Sequence, residues 1–252
     1  MKLKFTNNSD SHQVHKVIIT GTGRAGTTFL VQLLTALGLE TGFKDIQEGV
    51  YESCNAGMER DLIDSSAPYI VKNPSLCDDL AQILQTGEYA IDHAFIPIRS
   101  LEAATRSRIQ VFNQARPNGG YLRLLLKGSK YKAVPGGLID TDNPDEQQTI
   151  LAQKLYNLIY TLTIHDIPHT FLHFPRIIKD AQYLYSKLAP IMDGIDYSGF
   201  LEFFNDVAKP ELVHDFSKPG LKRLQSSKID IQNSQKGNGY CRWQSTVGLR
   251  GL

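Results

Sequence analysis

Cysteine is scarce in this chain of 252 residues, which carries only three: Cys54, Cys77 and Cys241. They lie far apart, none belongs to a C-x-x-C pair, and none has a histidine at the spacing of metal ligands. An odd, widely spaced set argues against both a disulfide framework and a structural zinc site. We therefore expect reduced structural thiols, as in a cytoplasmic protein.

Net charge and long apolar runs are lacking as well. The chain has 27 Lys+Arg against 26 Asp+Glu, a formal net charge of +1, whereas a broad phosphate footprint normally requires a basic excess. A nucleic-acid partner is therefore not expected, although a small anion site needs only a few local cations. Residues 1–8 lack the apolar run of a signal peptide, and no window approaches the ~18 apolar residues of a membrane span. We expect a soluble, cytoplasmic protein of undetermined oligomeric state.

What the chain does contain is a recurring order of apolar run, turn and helical pattern. The apolar runs cover 17–20, 69–71, 94–98 and 169–174, and the helical patterns cover about 29–37, 76–84, 100–114, 147–164 and 175–188. Such alternation predicts an α/β fold, a three-layer α/β/α arrangement with a central parallel sheet. Pro97 lies inside the third run, which predicts a bulge or a strand end there.

The domain organisation follows from the remaining segments. Residues 116–146 contain three prolines and five glycines, which indicates an irregular insertion or lid rather than a linker between domains. Residues 190–252 are expected to be helical at first and then rich in loops. We predict a single domain over 1–252.

A glycine-rich segment, Gly21-Thr22-Gly23-Arg24-Ala25-Gly26-Thr27-Thr28, joins the first strand to the first helix. Glycines let successive backbone amides point inward, and the helix N-terminus adds partial positive charge, so this context favours binding of a phosphate or sulfate. A tight turn without a ligand is the alternative.

The segment differs from the nucleoside triphosphatase pattern G-x-x-x-x-G-K-[ST]. The glycine spacing is right, but Thr27 stands at the position of the lysine, and the cation has moved to Arg24. No strand run ends in an aspartate placed to hold magnesium, as such enzymes usually require; Asp92 is expected to precede its strand. These departures weaken a kinase or ATPase interpretation.

Arg24-Ala25-Gly26-Thr27-Thr28 resembles the 5′-phosphosulfate loop of sulfotransferases that use 3′-phosphoadenylyl sulfate. That family also binds the 3′-phosphate of its cofactor with an arginine at a strand end and a serine eight residues later, a spacing matched here by Arg99 and Ser107. The resemblance implies the P-loop-containing nucleoside triphosphate hydrolase fold. It also implies a cofactor site formed by Gly23, Arg24, Ala25, Gly26, Thr27, Thr28, Arg99 and Ser107. A surface ion pair is the alternative for Arg99.

The resemblance further implies transfer of a sulfuryl group to a hydroxyl or amine without a metal. We expect Arg24 at the bridging oxygen of the cofactor and Lys72 near the sulfuryl group or the acceptor. The family histidine that acts as general base is replaced by Pro74, so a carboxylate from the segment after the first helix, Glu48 before Glu52, is the candidate base. Lys72, Glu48 and Glu52 could each instead be an ordinary surface side chain.

Two weaker matches concern the rim of the cofactor site. Phe174 could stack on the adenine or pack in the core, and the segment 236–243 resembles a basic loop that some members fold over the cofactor. The alternatives for the whole protein are a magnesium-dependent P-loop nucleotide kinase and a non-catalytic nucleotide-binding protein. The acceptor substrate is not indicated by any tract of the sequence.

Overall fold

The computed structural model describes residues 13–51, 54–115 and 136–213 of the chain. The strands in these ranges are β1 (Val14–Ile19), β2 (Val50–Tyr51), β3 (Ala56–Gly57), β4 (Ile70–Lys72), β5 (Tyr89–Ile98) and β6 (His169–His173). The helices are α1 (Thr27–Ala36), α2 (Leu76–Gln85), α3 (Leu101–Ala115), α4 (Pro144–Ile164), α5 (Arg176–Lys179), α6 (Ala181–Lys187) and α7 (Tyr197–Val207). Short 3₁₀ turns cover Ala189–Ile191 and Pro210–Leu212.

Four strands form one parallel sheet in the order β4-β1-β5-β6. Ile19 lies opposite Lys72 of β4 on one side and opposite Phe95 of β5 on the other, and Ile98 of β5 pairs with His173 of β6. Because the strands run in the same direction, their carboxyl ends lie along one edge of the sheet. The α/β fold with a central parallel sheet is therefore confirmed. A separate antiparallel hairpin joins β2 to β3, and the sequence pattern did not predict it.

Each face of the sheet has its own apolar core, because successive strand residues point to opposite faces. Val17, Ile19 and Phe95 pack with α1, α6 and α7, whereas Ile18 and Ile96 pack with α2 and α4. The helical residues that complete the two cores are buried leucines: Leu30, Leu33, Leu34 and Leu184 on the first face, and Leu76, Leu80, Leu158 and Leu162 on the second. The arrangement is consistent with a three-layer α/β/α fold.

The predicted helices are present, with two corrections. The expected helix over 175–188 is two helices, because Asp180 takes an extended conformation between α5 and α6. Its carboxylate accepts a hydrogen bond from the Tyr183 amide at 2.9 Å and so caps α6, as aspartate commonly does at an N-cap. The helix expected from residue 147 begins earlier, at Pro144, after the Asn143 side chain caps its first turn.

Pro97 does not interrupt β5. The Ala94 amide donates to the Pro168 carbonyl and the Ile98 carbonyl accepts from Phe174, so even-numbered residues of β5 bond toward β6 and Pro97 faces β1. β1 ends at Ile19, opposite Phe95, so the missing amide of Pro97 removes no ladder bond. The expected strand end comes one residue later, after Ile98. Asp92, expected before the strand, lies within β5.

The expectations for the cysteines, for membrane spans and for the two irregular segments can be compared with the described residues only in part. Cys54 and Cys77 are buried and unpaired, and burial raises the pKa of the Cys77 thiol to about 11, so this thiol is protonated at neutral pH; Cys241 lies outside the described residues. None of the described helices is long and apolar enough to cross a membrane. Residues 116–135 of the predicted insertion, and 214–252 of the C-terminal region, also lie outside the described ranges.

Candidate functional site

The glycine-rich loop between β1 and α1 has a backbone that few sequences could adopt. Gly23 and Gly26 have φ of 71° and 86°, and Arg24 between them has φ of 58°, in the left-handed region. A Cβ at Gly26 would lie 2.9 Å from the Phe174 ring, so conformation and space both require glycine there. Gly26 is the N-cap of α1, which begins at Thr27.

The amides of this loop are not bonded to the parts of the chain that the structure describes. No backbone amide from residue 22 to residue 28 donates a hydrogen bond to another residue that the structure describes. Successive free amides at the start of a ten-residue helix are a favourable environment for an anion, since the N–H groups and the helix N-terminus carry partial positive charge.

The loop borders a cavity of about 470 Å³ at the carboxyl edge of the sheet. Each of the four parallel strands contributes residues that follow it: the loop itself after β1, Asn73 after β4, Arg99 after β5 and Phe174 after β6. Every cofactor residue expected from the sequence lines this cavity, except Ala25, which is buried in the core beneath the loop. Binding at the carboxyl ends of parallel strands is the usual arrangement in open α/β sheets.

Arg24 connects the loop to α3 and to the β2–β3 hairpin. Its Nε donates to the Ser107 Oγ at 3.1 Å, and its Nη1 donates to the Cys54 carbonyl at 2.7 Å. Burial lowers the pKa of this guanidinium. Both acceptors are neutral, and no carboxylate is paired with Arg24 among the residues that the structure describes. The fold therefore brings two of the predicted site residues, Arg24 and Ser107, into contact.

Arg99 holds the same loop from β5. Its Nη1 donates to the Arg24 carbonyl at 3.0 Å, and its guanidinium lies 4.8 Å from the centre of the Phe174 ring. Burial and the Arg24 charge lower the pKa of Arg99 to about 10. Phe174 is only 7% exposed and packs in the core, as one of its two expectations stated. It also lines the cavity, and its stacking on the adenine stays a prediction.

Arg108 is a cation of the site that the sequence analysis missed. It donates to the Gly137 carbonyl at 2.6 Å and to the Thr22 carbonyl, while its Nε has no partner among the described residues. Burial and the Arg24 charge lower its pKa to about 10. A signal was available, because Ala104, Arg108 and Val111 share the buried face of α3, and an arginine on such a face is rarely without a function.

The two arginines orient the loop peptides. Arg108 binds the carbonyl of Thr22, and Arg99 binds the carbonyl of Arg24. In a planar trans peptide the carbonyl and the following N–H point in opposite directions. The amides of Gly23 and Ala25 are therefore turned away from the guanidinium groups, which leaves them free of intramolecular competition for an anion.

Lys72 lies at the end of β4 and is only 2% exposed. Its ammonium donates to the Gly57 carbonyl at 2.9 Å and to the Glu59 carboxylate at 2.8 Å. Burial lowers the pKa of Lys72, although the Glu59 charge acts in the opposite direction. Lys72 lines the cavity together with Thr27 and Thr28, and its approach to the sulfuryl group or the acceptor stays a prediction.

Glu48 is not brought to the cavity. Its carboxylate accepts a hydrogen bond from the Lys44 amide at 2.7 Å and lies 3.9 Å from Arg60, in the loop that precedes β2. The carboxylate beside Lys72 is Glu59, which lines the cavity with a half-exposed side chain. Sequence reasoning had no local signal for it, because the hairpin that directs the chain back to Lys72 was not predicted. Glu52 and the segment 236–243 lie outside the described residues.

Comparison with known proteins adds no family. A scan against models of protein families, a search of curated proteins and a search of solved structures each returned no match. The site must therefore be interpreted from its own chemistry: free loop amides, three guanidinium groups and a buried ammonium around one cavity.

Proposed function

We propose that this protein is a sulfotransferase that uses 3′-phosphoadenylyl sulfate and has a P-loop type of fold. The observation that carries the proposal is the meeting of Arg24, Arg99 and Ser107. These residues are remote in sequence, yet Arg99 binds the Arg24 carbonyl at 3.0 Å and Arg24 binds the Ser107 hydroxyl at 3.1 Å. They are the same residues whose pattern resembles the cofactor-binding positions of that family.

The donor set fits a cofactor with several anionic groups. Arg24 and Arg108 bond only to neutral oxygens among the described residues, so their charges have no carboxylate to neutralise them. Guanidinium groups bind phosphate and sulfate well because their donors match the oxyanion geometry. The loop amides with Arg24 would hold the 5′-phosphosulfate, and Arg99 with Ser107 would hold the 3′-phosphate.

The cofactor, when bound, supplies a sulfuryl group on a good leaving group, 3′-phosphoadenosine 5′-phosphate. The protein must then position the acceptor, stabilise charge at the transferred group and remove a proton. Arg24 and Lys72 are the cations for the developing charge. Glu59 is the proposed base, in place of Glu48, because it is the carboxylate that lines the cavity next to Lys72. It would accept the proton of the acceptor hydroxyl.

Calorimetry tests the cofactor. The chain is titrated with 3′-phosphoadenosine 5′-phosphate and with ADP, each with and without magnesium. We expect the bisphosphate to bind more tightly, without dependence on magnesium. A preference for ADP with magnesium would overturn the proposal in favour of a P-loop kinase. Bisphosphate binding without transfer from 3′-phosphoadenylyl sulfate to any acceptor would indicate a non-catalytic nucleotide-binding protein.

Variants test the residue assignments. Arg99→Ala is expected to weaken bisphosphate binding by about 10–100-fold, the loss of charge-assisted hydrogen bonds. Arg106→Ala, on the outer side of α3 and paired with Glu102, is the matched control and should bind normally. Glu59→Gln should abolish sulfuryl transfer while preserving bisphosphate affinity, with the exposed Glu88→Gln as its control. Full affinity in Arg99→Ala would refute the 3′-phosphate site.

A further inference from the structure

Residues from both faces of the sheet line the cavity, and the two walls that they form differ in chemistry. One wall lies on the α1 and α7 face and contains the aromatic side chains that line the cavity within the described ranges, although α1 also contributes Gln32 and the chain after α7 contributes Lys209. Phe29 and Ile178 are members of that core, and Val207 ends α7 beside them. The other apolar side chains on this wall are Phe174, Ile46, Val50 and Val213.

The second wall comes from the opposite face of the sheet, where α2 and α4 pack against each other. The chain leaves β4 at Lys72 and contributes Asn73, Ser75 and Asp78 to the cavity before α2 completes its first turn, and α4 adds Lys154. Pro74 is the single apolar residue that this segment gives to the cavity. No aromatic side chain belongs to this polar wall in the ranges that the structure describes.

The charges of the polar wall are paired with one another. Asp78 forms an ion pair with Lys154. Lys72 lies opposite Ile19 and therefore points to the other face of the sheet, where it is paired with Glu59. Asn73 accepts hydrogen bonds through Oδ1 from the Ser75 amide and hydroxyl, at 2.9 and 2.8 Å. The wall therefore carries both donors and acceptors but no excess of either charge, in contrast to the cationic loop beside it.

We infer that the polar wall is the acceptor subsite and that it takes an uncharged polyhydroxyl compound, a sugar or a polyol. The inference rests on the proposed function. A purine base is flat and largely apolar, so the wall containing Phe29 and Ile178 suits it, and the acceptor is left with the wall that continues from Lys72. Paired charges, an amide and a hydroxyl match a ring of hydroxyl groups, because each polar group that a ligand desolvates needs a new partner.

A phenol or a sterol fits this wall poorly. Such acceptors gain affinity by burying apolar area, and a wall of ion pairs and amides would lose its hydration against them without compensation. A polyanionic or polycationic acceptor is also disfavoured, because Asp78 and Lys154 already neutralise each other. The polarity of the wall thus selects among acceptors that share the same transferable hydroxyl group.

The experiment compares acceptors and two adjacent carboxylates. Release of 3′-phosphoadenosine 5′-phosphate from 3′-phosphoadenylyl sulfate is measured with D-glucose, D-galactose and myo-inositol, and separately with 4-nitrophenol and 2-naphthol. Asp78→Asn is compared with Asp79→Asn, which also lies in the first turn of α2 and is exposed, but does not line the cavity. Both changes remove the same charge from the same helix terminus, so helix stability does not distinguish them.

We expect transfer to at least one of the three polyols and not to the phenols. Asp78→Asn should raise the KM for the polyol about tenfold, as for loss of a hydrogen bond to a charged group, without changing bisphosphate affinity, and Asp79→Asn should change neither. Transfer to phenols alone, an equal KM in the two variants, or no polyol transfer by a chain that binds the bisphosphate would overturn the inference and leave the cofactor assignment intact. Failure to bind the bisphosphate would instead remove the proposed function itself.

Discussion

Replacing Arg108 tests whether the loop amides owe their orientation to this side chain. Burial lowers the pKa of Arg108 from 12.5 to about 10, so carrying its charge costs the folded state roughly 3 kcal/mol. Its two bonds, to the Thr22 and Gly137 carbonyls, each return about 1.5–3 kcal/mol. The two contributions largely cancel, and Arg108→Met should lower the free energy of unfolding by no more than about 3 kcal/mol.

Relative to a control variant on the same helix, replacing Arg108 should weaken ligand binding strongly. Without Arg108, the Thr22 carbonyl is free to rotate and the Gly23 amide loses its fixed direction. One charge-assisted bond to an anion is worth about 2–3 kcal/mol, so affinity for 3′-phosphoadenosine 5′-phosphate should fall about 30–100-fold. Arg108→Lys separates orientation from charge, since it retains the cation but cannot reach both carbonyls with a planar fork.

Calorimetry with the bisphosphate and urea unfolding are the two assays, and Arg106→Met is the control on the same helix. We expect both Arg108 variants to bind weakly while remaining folded at 25 °C. If Arg108→Lys bound as tightly as the original chain, charge alone would account for its role. If Arg108→Met bound the bisphosphate as tightly as the original chain, the side chain would have only a structural role, and Arg108 would not be needed to orient the Gly23 amide for binding.

Two further predictions concern stability. Burial lowers the pKa of Lys72 below its ordinary value of 10.5, so between the folded-state pKa and pH 10.5 the unfolded chain binds more protons than the folded chain. The original chain should therefore gain stability relative to Lys72→Met as pH rises toward 10.5. Urea unfolding from pH 8 to 10.5 measures this difference in stability, and a constant or falling difference would contradict the prediction. Gly57 has φ of 124°, and a Cβ there would lie 2.1 Å from the Gly49 carbonyl oxygen. Gly57→Ala should therefore lower the free energy of unfolding by about 2–3 kcal/mol. Gly38 has φ of 79° and nothing within 4 Å of an added Cβ, so Gly38→Ala should lower it by only about 1 kcal/mol. Equal losses of stability in urea unfolding would show that the hairpin adjusts to the added methyl group without strain.

Much of the fold could be predicted because its signals are local. The apolar runs of β1, β4, β5 and β6 are short and bounded by turn residues, and the helices between them carry apolar residues at helical spacing. The errors occur where tertiary contacts decide. Asp180 divides a segment that its sequence would allow to be one helix, and the β2–β3 hairpin has strands of two residues each, too short to leave a pattern.

The candidate site shows the same difference between residues with a local sequence signal and residues placed by tertiary contacts. Arg24, Arg99 and Ser107 could be named because their pattern resembles that of a known family, and their places at the ends of β1 and β5 and on one face of α3 bring them together. Glu59 could not, because it approaches Lys72 only after the chain has turned through the hairpin. Glu48 is expected as the base because it lies in the segment after the first helix, whereas the folded loop directs it to the Lys44 amide and Arg60.

Thr27 stands where the loop of a nucleoside triphosphatase carries a lysine, and arginines from other elements supply positive charge beside the loop instead. A loop with its own lysine carries its positive charge within a contiguous motif. Here much of the charge comes from β5 and α3, through Arg99 and Arg108, and each of these arginines also holds a loop carbonyl. The proposed anion site thus depends on the assembled sheet and not on the loop alone. Formation of the site and folding of the β1, β5 and α3 region are consequently one process, and a net charge of +1 gives no indication of either.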